Sequence, residues 1–186
     1  EGSQYYIRNI DFAGNLKYSS DSLRAVLGIE KGEIYDASRL DARLHGDMTT
    51  QDISGMYLDD GYLFFNVEAV EVAVTEDSID LELRIFEGPQ ATIRKIILEG
   101  NTKTSDYVIL RELRTVPGQK FSRADLIRSQ REILNLGYFN QETIQVVPIP
   151  DPVNGTVDIK YVVEEKPSDQ LQVQGGWGGR IQDAAW

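Results

Sequence analysis

One histidine and a few acidic pairs are the residues of this 186-residue chain whose types could do acid–base or metal chemistry. His45 has Asp47 two positions on, but a catalytic imidazole needs a positioned carboxylate and a nucleophile, and a metal ion needs further ligands. Neither set is grouped with it in the sequence, so His45 reads as a solvated loop residue. Asp59-Asp60 and Glu76-Asp77 are turn residues, without the apolar surroundings that separate the pKa values of two catalytic carboxylates. Gly175-Gly176-Trp177-Gly178-Gly179 is not a phosphate loop, because no Gly-Lys-Ser/Thr follows and no helix is signalled after it. Cysteine is absent, which removes disulfides, thiolate metal sites and cysteine nucleophiles. The chain therefore reads as non-enzymatic, with no cofactor and no metal ligand set.

The remaining residues capable of recognition are aromatic and apolar. Tyr57, Tyr62, Phe64 and Phe65 are close in sequence and would make either an interaction patch or a buried helix-to-strand corner. Such corners commonly bury their rings, so Tyr62 and Phe64 are assigned to the core and Phe65 is left open between the two. A net charge of −11 argues against phosphate backbones and anionic lipid as partners, since both need clustered Lys and Arg. With 41% hydrophobic and 26% charged residues the composition is that of folded domains. No stretch approaches the 18 apolar residues of a spanning helix and no signal peptide is present, so the chain reads as a soluble piece, one that could be cut from something larger.

The elements that must position these residues occur twice. Shifted by 86 positions, Ile7, Arg8, Ile10, Gly14, Asn15, Lys17, Ser19, Leu27, Gly32 and Leu40 fall on Ile93, Arg94, Ile96, Gly100, Asn101, Lys103, Ser105, Leu113, Gly118 and Leu126. Ten identities in 34 aligned positions mark an internal repeat. After Leu40 the register slips, since Gly61-Tyr62 aligns with Gly137-Tyr138, and the first copy carries an insertion around 44–53. Leu81, Leu83, Ile85, Glu87 and Pro89 then fall on Ile159, Tyr161, Val163, Glu165 and Pro167. The domains expected are 1–90 and 91–167, joined at a hinge of Gly88 and Pro89. Residues 168–186 are either the start of a truncated barrel strand or a flexible tail.

Within each copy the order is β-α-α-β-β. Tyr5 to Phe12 is β-branched and aromatic and stops at Gly14-Asn15, a strand and its turn. Ser19 to Ser22 supply N-caps before Leu23, Val26 and Leu27, which share a helical face, and Gly28 and Gly32 close the helix. Asp36 or Ser38 caps a second helix through Leu40 and Leu44. His45-Gly46-Asp47 interrupts it and Thr49 to Asp52 offers a fresh cap, so that helix is expected to break at an exposed elbow. Phe64 to Val74 reads as a strand whose apolar face changes side, which predicts a bulge near Ala69. Ile79, Leu81, Leu83 and Ile85 alternate with polar residues as a half-buried strand. The second copy runs through strand Ile93–Glu99, helices from Ser105 to Arg114 and from Ser122 to Gly137, strand Thr143–Val147 and a closing strand Val157–Val163. The fold class is α+β: two three-stranded mixed sheets, each covered on one face by two helices.

Taken together, the Ile-Arg-x-Ile…Gly-Asn openings, the Gly-Tyr-x-Phe and Gly-Tyr-Phe steps, and the Glu-Gly-Pro and Glu-Lys-Pro closures resemble polypeptide-transport-associated (POTRA) domains of BamA-type proteins. The resemblance covers nearly the whole chain, and the two copies look like the last two repeats before a membrane barrel. It implies a receptor and scaffold at the outer membrane, facing the periplasm, for β-barrel assembly. The implied partners are unfolded outer-membrane proteins, accessory assembly lipoproteins, and the outer membrane itself through a C-terminal barrel missing here. No nucleic acid is expected. The alternatives are a POTRA module of a two-partner secretion transporter, or a periplasmic interaction scaffold with no client polypeptide. In this fold the second strand lies at an edge, where an extended client can add a strand through backbone hydrogen bonds. The candidate edge residues are Phe65, Val67, Glu68, Ala69 and Val70. The corresponding strand of the second copy runs into Pro148, Pro150 and Pro152, which lack the N–H donor and protect that edge.

Overall fold

The computed structural model describes residues 4–46 and 52–167; the 47–51 part of the insertion expected around 44–53 and the barrel-strand reading of 168–186 lie outside the described residues. In the first repeat, β1 (Tyr6–Ala13) leads into α1 (Ser20–Leu27), α2 (Ala37–His45) and α3 (Ile53–Leu58), followed by β2 (Asn66–Val74) and β3 (Ser78–Phe86). The second contains β4 (Thr92–Glu99), α4 (Asp106–Leu110), α5 (Arg123–Asn135), β5 (Gln145–Asp151) and β6 (Thr156–Val162). Two three-stranded sheets result, ordered β1-β3-β2 and β4-β6-β5. In the first, β1 runs parallel to β3 and β2 antiparallel to it.

The helices begin where side chains can accept from orphan backbone N–H groups. Ser19 accepts from Ser22 N at 3.1 Å, and Asp36 from Ser38 N at 3.0 Å and Arg39 N at 3.3 Å. Asp52 does the same for α3 through Gly55 N at 2.5 Å, so the second cap read from the insertion starts a helix of its own. Apolar residues at helical spacing then fill the core: Leu23, Leu27, Leu40, Leu44, Ile53 and Tyr57 pack over Ile79, Leu81, Leu83 and Ile85 of the central strand. Phe121, Leu126 and Ile133 are buried in the second repeat with Val157, Ile159 and Tyr161 of its central strand.

Each repeated signature closes a strand onto a turn. Gly14 and Gly100 adopt φ +89 and +94, and their backbones lie against the carbonyls of Ile85 and Val163. The next residue ties the turn, with Asn15 Nδ2 donating to Tyr18 O at 2.9 Å and Asn101 Nδ2 to Thr104 O at 2.9 Å. The glutamates of the closures accept from the same turns: Glu87 takes Lys17 N at 2.8 Å and Glu165 takes Lys103 N at 2.9 Å. Across each outer strand a guanidinium forks onto an aspartate. Arg8 donates to Asp80 at 2.9 and 2.7 Å, and Arg94 to Asp158 at the same two distances.

These forks hold the Asp80 and Asp158 carboxyls below the ordinary carboxylate range, the guanidinium hydrogen bond being the main cause. A carboxyl lowered on folding contributes stability that is present above its unfolded value and lost as pH falls through the folded one. Asp158→Asn is therefore expected to weaken the protein near neutral pH, and the gap from the parent to close in strong acid. Urea midpoints measured under both conditions check this.

Three sequence readings need correction. The bulge of β2 falls between Glu71 and Ala73 rather than near Ala69. Val72 lies at the bulge and Val74 pairs opposite the buried Ile79 near the strand end, and the two are 50% and 51% exposed. Secondly, α4 ends at Leu110 rather than Arg114, its last carbonyls being closed by short turns such as Leu113 N to Leu110 O. Thirdly, β5 extends past Val147 through Pro148 and Pro150. A proline survives in a paired strand only where its missing N–H would face away from the neighbour, so these two sit on a true sheet edge.

Candidate functional site

With β3 and β6 central, each sheet has two edges, and an edge is a row of backbone donors and acceptors unless something covers it. The opening strands are covered over their first half. Ile7 N donates to Glu33 O at 2.8 Å, Gly32 N to Ile7 O at 2.7 Å and Tyr35 N to Tyr5 O at 2.8 Å. The second repeat repeats this cover, with Ile93 N to Gln119 O and Gly118 N to Ile93 O, both 2.8 Å, and Phe121 N to Ala91 O at 2.9 Å. The chain turns back for this pairing at Gly32 and Gly118, whose φ values of +90 and +91 explain the glycine in both copies.

The edge formed by β2 is different. Among the described residues no backbone hydrogen bond reaches it from outside its own sheet. Of the residues proposed for it, Val67 is buried at 4% exposure opposite Ile85, Glu68 and Ala69 are exposed, and Val70 is half-buried opposite Glu82. Phe65 stands one residue ahead of β2 and stacks on Tyr57, ring centroids 4.3 Å apart, so its side chain belongs with the core. Tyr62 meets Tyr57 edge-on at 5.6 Å and is likewise packed against the core, while Phe64 is half-buried. Sequence reasoning missed Val72 and Val74 as exposed apolar side chains on this edge strand. Their alternation was legible in the sequence, but a side chain on an edge strand has a neighbouring strand on one flank only, and that position is set by the sheet order.

Of the titratable side chains singled out in the sequence, His45, Tyr57 and Asp60 are held in local hydrogen bonds. His45 closes α2, exposed, with Nδ1 3.1 Å from Asp41 Oδ1 one turn back. Asp60 accepts from the Tyr18 hydroxyl at 3.0 Å. Burial, with that bond second, pushes the Tyr18 phenol up to about 12. Glu87 accepts from the Tyr57 hydroxyl at 2.7 Å. Among the described residues no group of three or more acidic or histidine side chains is placed to hold a metal ion, and no helix is long and apolar enough to cross a membrane. What the arrangement can do chemically is pair an exposed strand edge with another extended backbone.

Comparison with known proteins agrees with this architecture. The model of the POTRA family, described as a surface antigen variable number repeat, matches twice, over residues 5–88 and 91–166. The chain is 32% identical over 177 residues to the outer membrane protein assembly factor BamA of Nitratidesulfovibrio vulgaris, covering 92% of this chain and 21% of that protein. It is 26% identical over 181 residues to BamA of Neisseria meningitidis, covering 95% and 22%. It thus spans about a fifth of the length of the curated relatives it matches. Among solved structures, Haemophilus influenzae BamA POTRA3-5 superposes with a TM-score of 0.73 at 24% identity, over 89% of this chain and 63% of that one, a likeness of fold. With both copies of the β-rich repeat matched and the strand order accounted for, the chain belongs to the POTRA family and carries two POTRA domains in tandem.

Proposed function

We propose that the chain is the periplasm-facing scaffold of an outer-membrane protein assembly factor. It receives unfolded outer-membrane polypeptides by strand addition at β2, docks accessory lipoproteins, and acts by binding rather than catalysis. Gly88 and Pro89 form the joint between the two domains, which occupy 1–90 and 91–167. The observation that carries this reading is the uncovered outer edge of β2, beside a β1 edge partly occupied by Gly32–Tyr35 and a β5 edge interrupted by two prolines. An added strand bonds through its backbone, so many client sequences are accepted, and the half-exposed Val72 and Val74 offer apolar contact without demanding a particular partner. Similarity to BamA proteins supports the choice of outer-membrane polypeptides as clients.

The test is a titration of the isotope-labelled chain with soluble peptides from barrel strands, followed by backbone amide shifts. Shifts concentrated on Asn66–Val74, and abolished by a proline at a β2 position whose N–H points away from β3, are expected. Shifts absent from β2, or scattered over the acidic turn at Glu76 to Ser78, would overturn strand addition.

A further inference from the structure

The cover of the β1 edge by Gly32–Tyr35 stops at Ile7, leaving Arg8 to Ala13 as a second stretch where a client strand could pair. A side chain hydrogen-bonds the backbone of this stretch. Arg24, projecting from α1, donates from its guanidinium to the Ile10 carbonyl at 2.6 Å. The same guanidinium lies over the Phe12 ring, 5.3 Å from its centroid. It crosses an open groove between α1 and β1 whose lining includes Ile10, Asp11, Asp21 and Ala25. The hydrogen bond occupies an acceptor that an incoming strand would need, and the cation–π contact keeps the bulky head over the edge instead of out in water.

We propose that Arg24 is an edge gate: it closes the β1 side of the first POTRA domain to strand addition, so that clients are directed to β2. The proposal rests on the reading of β2 as a receiving edge, and it assigns to Arg24 a specificity role in closing the part of the β1 margin that Gly32–Tyr35 leaves uncovered. A charged side chain laid on a strand edge is one of the general ways in which sheets avoid unwanted pairing. The role differs from that of a structural arginine. Arg8 is forked onto an aspartate, whereas the partner of Arg24 is a backbone acceptor on the edge itself.

The second repeat supplies a suitable variant. Under the 86-residue shift Arg24 aligns with Leu110, so a leucine at this place is compatible with the fold. The labelled chain and its Arg24→Leu and Arg24→Lys variants would each be titrated with a barrel-strand peptide of about ten residues. Retained shift dispersion would establish that each is folded. In the parent, no shifts are expected on Asn9–Phe12. In Arg24→Leu, shifts there should rise to the size seen on β2, with the number of peptides bound to the first domain going from one to two. Arg24→Lys, which keeps the charge, should restore most of the parental selectivity. If Asn9–Phe12 stay silent in Arg24→Leu, the gate is wrong whatever β2 does. If β2 stays silent in the parent while Asn9–Phe12 respond in the leucine variant, the gate stands and the receiving role of β2 falls.

Discussion

Gly14→Ala is expected to destabilise the protein by roughly 4 kcal/mol or more, the range reached only by the most disruptive single substitutions. Two costs combine. At φ +89 any L side chain is strained by about 1–3 kcal/mol. The new Cβ would also overlap the Ile85 carbonyl oxygen, with the carbonyl carbon 3.1 Å away, and a backbone group in the sheet has nowhere to go. Gly100→Ala repeats the experiment in the second domain against Val163, at φ +94. Gly32→Ala is the control, for φ is +90 but nothing stands within 4 Å of the added carbon. Only the conformational strain, about 1–3 kcal/mol, should then appear. Chemical denaturation of the three variants measures the difference. A Gly14→Ala loss no larger than that of Gly32→Ala would show that the strand end and the turn separate easily.

The second large effect is expected at Tyr57. Its ring is fully buried and sits among Tyr18, Tyr62 and Phe65, so Tyr57→Ala should cost about 3–5 kcal/mol, as other aromatic truncations in packed cores do. Tyr57→Phe keeps the ring and removes only the hydroxyl that donates to Glu87, a loss of about 1–3 kcal/mol. The pH dependence separates these contributions. Burial, and after it the Glu87 hydrogen bond, raises the Tyr57 phenol above its ordinary value. A raised folded value means that the contribution is complete below the unfolded value of about 10 and is lost as pH rises through the folded one. The parent should therefore lose stability in alkali more steeply than Tyr57→Phe, with Tyr18 and Tyr35, whose phenols are also raised by burial, contributing to the residual slope. Urea titrations on either side of pH 10 would show equal slopes if Tyr57 were solvated.

Both effects arise at points where one domain's ends meet. Glu87 joins the Tyr57 hydroxyl of α3 to the Lys17 N–H of the first turn, and Gly14 brings that turn against the end of β3. The repeated residues are thus mostly devices for closing a small sheet, and their recurrence in the second domain reflects the same closure by Gly100, Asn101 and Glu165. The candidate client edge lies elsewhere, on the strand that these devices leave untouched.

Much of this was legible in the amino-acid sequence because it is local. Alternation of Ile79, Leu81, Leu83 and Ile85 marks a half-buried strand, Ser19, Asp36 and Asp52 mark helix starts, and the 86-residue shift exposes the repeat without reference to any contact. The order β-α-α-β-β and the division into two domains follow from these patterns. What only the tertiary structure decided is non-local. Whether β1, β2 and β5 are edges depends on β3 and β6 taking the centre, a choice made by strand pairing across dozens of residues. The bulge at Val72 is set by register against β3, and no local signature was sharp enough to place it. Arg24 looks in sequence like any helix-surface arginine. Its meaning comes from a single carbonyl, Ile10, that folding brings to within 2.6 Å.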